Sequence, residues 1–229
     1  MHTEKFIQLT LHFPIPSSMG SEDFFTTDSN HAAVDFIRSW PEWPEHHAII
    51  VGPHKSGKKH LSCIWQENSK AESLTVLDDL FLTVLNNQHL KALILENVSQ
   101  VAGDKVREEI LFHLINRSKA GELDLLMLDA EPPSKWKIKL KDLKSRLKAS
   151  PLFRIDPPDD LLLRVLILKQ FSDRRLAISP EVLEYLSLHM TRNYEHIFEM
   201  IKTIDSYSLS TKRAVTIPLI RDILSHNNQ

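Results

Sequence analysis

Short, unbroken apolar runs punctuate the first two thirds of the chain: Ala48–Val51, Ala92–Leu95 and Leu125–Leu128, with weaker runs at Leu74–Leu77 and Leu152–Ile155. Runs of this length, separated by helical patterns, predict strands of a parallel sheet buried on both faces. The clearest helical pattern opens at Asp104, carries Val106, Ile110, Leu111, Leu114 and Ile115 on one stripe, and closes in a turn at Gly121. After Pro157 and Pro158 the strand-like runs stop and helical segments take over. The first spans Asp159–Arg174. The second is capped by Ser179 with Pro180 at its first position, the third begins at Asn193, and the last begins at Thr216-Ile217-Pro218. Residues 14–23 (PIPSSMGSED) are turn-rich and set an apolar N-terminal peptide apart from the body. The expected organisation is a peptide and spacer over 1–20, an α/β core over 21–156 with its parallel sheet flanked by helices, and a small all-helical lid over 157–229.

Composition narrows this picture by exclusion. The 229 residues are 42% hydrophobic and 25% charged, with a formal charge of -2 and a pI near 6.6. That balance gives no global reason to bind nucleic acid. One cysteine, Cys63, cannot form an intramolecular disulfide framework, so a cytoplasmic location is expected. No apolar stretch approaches the roughly 20 residues that span a bilayer, so no membrane association is expected. The 12 histidines form no H-E-x-x-H or Cys/His pattern, so no metal site is expected.

The run Ala48–Val51 leads directly into Gly52-Pro53-His54-Lys55-Ser56-Gly57-Lys58-Lys59-His60-Leu61. This is G-x-x-x-x-G-K between a predicted strand and a helix start, a phosphate loop. Its glycines let backbone N–H groups turn toward phosphate oxygens, the helix N-terminus adds positive potential, and Lys58 supplies a charge. The next residue should be a Ser or Thr whose hydroxyl ligates Mg²⁺. Here it is Lys59, which cannot ligate a metal and would repel one. Either Lys59 replaces part of the metal's charge and nucleotide binds without Mg²⁺, or the site has decayed. In the run ending Leu95-Glu96-Asn97, Glu96 keeps a carboxylate while Asn97 cannot serve as a base, so slow or absent intrinsic hydrolysis is expected.

In these motifs the chain resembles the DnaA-related branch of AAA+ proteins, specifically its Hda type, along nearly its whole length. The segment from Phe24-Phe25 to Asn30-His31-Ala32-Ala33 resembles the frame of the adenine pocket, which implicates Phe25 and Asn30. Gly52–Leu61 resembles the family's K-[ST]-H-L phosphate loop apart from Lys59. Asp129 stands where the first sensor follows its strand. Asp142-Leu143-Lys144-Ser145-Arg146-Leu147 matches the family's D-L-x-S-R-L motif, and Thr216–Leu224 resembles its C-terminal helix. The resemblance implies a P-loop AAA+ core and lid, with Arg146 acting in trans on a neighbour's nucleotide. At the second sensor the alignment puts Glu195 where an arginine is expected, with Arg192 one turn earlier.

Gln8-Leu9-Thr10-Leu11-His12-Phe13 offers a glutamine and alternating apolar anchors, Leu9, Leu11 and Phe13, which suit either a docking peptide or an edge strand. The family resemblance implies docking on the sliding clamp, the beta subunit of DNA polymerase III. It further implies that the chain promotes ATP hydrolysis by DnaA, while ADP or another nucleoside diphosphate sits in its own site without Mg²⁺. The competing reading is a nucleotide-independent adaptor. Lys135–Lys148 is densely basic, which fits a solvated face, an acidic partner surface or bound nucleotide. Little or no direct DNA binding is expected.

Overall fold

The structure is a computed structural model that describes residues 24–226, so the Gln8–Phe13 peptide lies outside the described residues. Each of the five apolar runs overlaps a strand, with Val76, Leu77 and Ile155 falling beyond the strand ends: β1 (His47–Val51), β2 (Glu72–Thr75), β3 (Ala92–Glu96), β4 (Asp124–Asp129) and β5 (Leu152–Arg154). They form one parallel sheet in the order β2-β3-β4-β1-β5. Val51 pairs with Asp129 and Glu96 with Leu128, which brings the carboxyl ends of β1, β3 and β4 to one edge.

Strand residues divide by parity between two apolar layers. Ile49, Val51, Leu93, Leu95, Leu125 and Met127 pack on α3 (Asp79–Thr83), α4 (Lys105–Lys119) and α5 (Lys141–Ala149). Ala48, Ile50, Ala92, Ile94, Leu126 and Leu128 pack on α1 (His31–Arg38) and α2 (Lys58–Ser69). Both faces of β1 are covered, and all five of its residues are buried. Each such aliphatic side chain contributes about 1.5–3 kcal/mol, so the sheet is stabilised chiefly from its centre.

Helix α4 starts where Asp104 accepts a hydrogen bond from the Arg107 amide, and the chain leaves it through Gly121 at φ 73°. Its stripe is buried at Ile110, Leu111, Leu114 and Ile115, but Val106 is exposed, against the spacing argument. Val106 lies in the first turn, where Arg107 takes the inward direction and its Nε donates to the Val76 carbonyl at 2.9 Å.

In the same turn Glu108 is buried, with 1% of its surface exposed. It accepts from the amides of Gly103 at 2.8 Å, Lys139 at 3.1 Å and Leu140 at 2.7 Å. This carboxylate ties α4 to the residues that begin α5. Burial alone would raise its pKa, but the backbone N–H groups outweigh that and hold the value below the ordinary glutamate range.

The helical part comprises α6 (Asp160–Asp173), α7 (Pro180–His189), α8 (Tyr194–Thr211) and α9 (Ile217–His226). Asp159, Ser179 and Asn193 cap the first three by accepting from Leu162, Val182 and His196 amides, as their positions predict. Helix α6 serves two layers. Leu162 packs on the sheet side with α1 and α2, while Leu163, Ile167 and Phe171 join the separate core of the lid.

Glu108→Gln replaces an acceptor with an amide whose N–H₂ opposes backbone donors, and a loss of about 2 kcal/mol is expected on denaturant unfolding. Because the native pKa of Glu108 is depressed, its contribution is present above the unfolded value and is lost as pH falls through the folded one. The acid limb of the stability profile should therefore be shallower in Glu108→Gln than in the parent.

Candidate functional site

The edge assembled by the sheet carries three groups at strand ends: the loop after β1, Glu96 closing β3 and Asp129 closing β4. Gly52 leaves no room for a side chain, since a Cβ there would lie 2.9 Å from both the Ile155 carbonyl and Ser56 Oγ. Gly57 holds φ 95° and supports the Phe24 ring, which a Cβ would approach to 2.8 Å. Helix α2 begins at the next residue. Ser56 Oγ is buried without a hydrogen-bond partner among the described residues. An orphaned hydroxyl inside a glycine loop that runs into a helix N-terminus fits a phosphate group.

The Lys58 ammonium donates to the loop's own carbonyls, Gly52 at 2.6 Å and Pro53 at 2.8 Å. Burial holds its pKa below the ordinary lysine value, and the charge of Asp129 opposes that shift. Lys59 reaches across to Glu96, with Nζ 3.2 and 3.3 Å from the two carboxylate oxygens. This ion pair occupies the two positions that would otherwise hold a magnesium ion, a hydroxyl on the loop and an acid on β3. Mg²⁺ does not fit this donor set. Among the described residues no cluster of three or more His, Cys, Asp or Glu could hold a metal.

A cavity of about 170 Å³ opens beside the loop, between core and lid. Phe25, Asn30, Lys55, Ser56, Gly57 and His60 line it, together with Leu162, Leu166, Lys169, Tyr194 and Phe198 from the lid. His60 meets Phe24 edge-on at 5.4 Å, and the Lys55 ammonium lies 5.7 Å over the Phe198 ring. The Tyr194 hydroxyl donates to the Asp156 carbonyl at 3.0 Å, and burial pushes its pKa up to about 12.

Not every residue assigned to the site from sequence turns toward it. Asn30 lines the cavity, but its side chain shapes the preceding turn, donating to the Phe25 carbonyl at 3.0 Å and accepting from the Thr27 amide at 2.9 Å. Asp129 spends its carboxylate on the amides of Ser99, Ala130 and Glu131. Arg192 pairs with Asp160 at 2.7 Å, both exposed, and Glu195 is exposed as well. The side chains that α8 sends to the cavity are Tyr194 and Phe198. From α6 the lid adds Leu162, Leu166 and Lys169, whose i, i+4, i+7 spacing in the sequence places them on one face of the helix.

Arg146 lies on α5 with an exposed side chain and makes no ion pair among the described residues. The i, i+4 spacing permits a pair with Asp142, but none is formed. Asp142 sits in the first turn of α5, where its charge already meets the positive end of the helix.

The sheet order, the phosphate loop after β1 and the appended helical lid define a P-loop protein of the AAA+ class. Domain III of the replication initiation protein DnaA from Thermotoga maritima superposes with a TM-score of 0.72 at 18% identity, over 93% of this chain and 98% of that one. AMPPCP-bound DnaA from Aquifex aeolicus gives 0.66 at 19%, over 84% and 66%. The Holliday junction branch migration motor RuvB from Thermotoga maritima gives 0.68 at 13%, over 91% and 72%. At these identities the structural matches establish the fold. Within the class, residues 160–224 match the family described as Hda, lid domain. An uncharacterised protein from Haemophilus influenzae is 27% identical over 215 residues, 88% of this chain and 91% of that one.

Proposed function

We propose that the chain is a cytoplasmic regulator of DNA replication initiation that donates Arg146 to the nucleotide of DnaA and promotes its hydrolysis. The Hda lid and the DnaA-like AAA+ fold support the regulatory role. The observation that carries the mechanism is the state of Arg146: a guanidinium presented to solvent from a helix, with no carboxylate neutralising it. Such a group costs little to bring against a phosphate, and its planar fork matches phosphate geometry. In this reading Gln8, Leu9, Leu11 and Phe13 dock the protein on the sliding clamp, the beta subunit of DNA polymerase III.

The chain's own site holds ADP or another nucleoside diphosphate without Mg²⁺. Lys58 leaves the loop carbonyls for the phosphate oxygens, Ser56 Oγ gains a partner, and Lys59 stays with Glu96 as a fixed cation near the phosphates. The base enters the cavity between Phe25 and the lid. Turnover there is not expected, because neither a metal ligand nor a base faces the phosphates. A second reading, a nucleotide-independent adaptor, draws on the Phe24 ring packed over Gly57 and on Lys58 satisfied by its own loop.

Calorimetry with ADP separates the two readings. Binding should persist in EDTA, Lys58→Ala should weaken it about 10- to 100-fold, and Lys59→Thr should make it depend on Mg²⁺. No heat at millimolar ADP, with or without metal, would favour the adaptor.

Arg146→Ala should retain fold and clamp capture yet lose stimulation of DnaA-dependent ATP hydrolysis in a mixture with DNA-loaded clamp. Trans-acting arginines supply about 10³–10⁵ in rate elsewhere, and Arg146→Lys should fail nearly as badly. Full stimulation by the alanine variant would exclude the mechanism. Deleting residues 1–13 should abolish clamp capture with little change in melting temperature, whereas a large drop would identify the segment as part of the folded body.

A further inference from the structure

The connection from β4 into α5 carries a track of lysines that the proposed regulatory mechanism does not use. From Trp136 to Leu140 the chain alternates: Trp136 and Ile138 are buried, while Lys137 and Lys139 are exposed. Helix α5 continues the series with exposed Lys141, Lys144 and Lys148 around buried Leu143 and Leu147. None of these five ammonium groups makes an ion pair or hydrogen bond among the described residues, whereas neighbouring Lys135 is paired with Glu131 at 2.8 Å. On the helix, Lys141, Lys144 and Lys148 share one stripe at i, i+3, i+7. Arg146 falls on another with Asp142, so the track and the candidate finger face different directions.

We infer that this track is a binding surface for a nucleic-acid phosphate backbone. Its contour is roughly 23 Å, from about 3.3 Å per residue along the extended part and 1.5 Å along the helix, the length of about seven nucleotide steps on one strand. Two features favour a polyphosphate over an acidic protein face. The track has a single sign along its length, and it is built from lysine, which is depleted in protein–protein interfaces where arginine is enriched. It presents no exposed aromatic ring, since Trp136 is buried, so the contact is to backbone and independent of sequence. The chain's overall charge of -2 hides this surface, because acidic residues outnumber basic ones in the rest of the chain.

Fluorescence anisotropy of the full chain with labelled 20-nucleotide single strands and the matching duplex tests the inference. Saturable binding below 100 µM is expected at 50 mM salt. If five lysines each neutralise one phosphate, log K against log salt should have a slope of about −4.5 on duplex and about −3.5 on a single strand. The two probes thus also identify which form is held. Lys141→Gln with Lys144→Gln removes two cations from exposed positions, and circular dichroism checks the fold. The slope should fall in magnitude by about 1.8 on duplex or 1.4 on a single strand, while ADP binding stays unchanged. Absence of saturation at 50 mM salt, or an unaltered slope in the double variant, overturns the inference. So does a double variant that keeps its nucleic-acid affinity but loses capture of DnaA or the clamp, which would assign the track to a protein partner.

Discussion

Everything at the candidate site depends on β1 being closed off from water on every side. It lies between β4 and β5 in the sheet and under helices on both faces, so none of its five residues can shift without opening a cavity. The chain must leave such a strand abruptly, and Gly52, pressed against the Ile155 carbonyl, permits the exit. The loop is then fixed from below by the core and from above by the helix it starts. The orphaned Ser56 hydroxyl is thereby held in a fixed place within the loop.

The same edge shows how charge can be rearranged without disturbing a fold. In metal-dependent loops a hydroxyl and an acid share a divalent ion. Here Lys59 and Glu96 meet directly, and the Lys59 side chain is mostly solvated, so the pair adds little to stability. Its effect is on chemistry. The acid is neutralised by a permanent tenant, leaving no carboxylate for a metal or for orienting a water molecule. The backbone geometry of the loop is kept while the groups that would hold a metal are paired with each other.

The fold was legible because its three central strands are buried on both faces and its helices carry explicit starts. The apolar runs, Asp104, Asp159, Ser179 and Asn193 each mark an element that the structure contains. The site was legible only where a motif constrains the backbone, as at Gly52 and Gly57. Residues assigned by alignment alone fared differently, because a position in a family does not determine where a side chain finds its hydrogen bonds. Asn30 and Asp129 satisfy nearby backbone groups, and Arg192 is engaged by Asp160, an acid 32 residues away that no spacing rule connects to it. Conversely, the lid's contribution to the cavity depends on how α6 and α8 lean on the core, which is a tertiary fact. Val106 failed for a local reason, since in the first turn of α4 the inward positions go to Arg107 and Glu108, which hydrogen-bond neighbouring backbone.

Helix α6 belongs to two cores at once, with Leu162 in the layer beneath the sheet and Leu163, Ile167 and Phe171 in the lid. Its cavity-facing residues, Leu162, Leu166 and Lys169, are therefore the short arm of a lever whose long arm is the rest of the helical bundle. The Tyr194–Asp156 hydrogen bond holds the bundle close to the fulcrum. A tightly packed interior does not absorb a displacement but passes it on. A displacement of the cavity-facing side chains would therefore be carried along α6 into the packing of the lid.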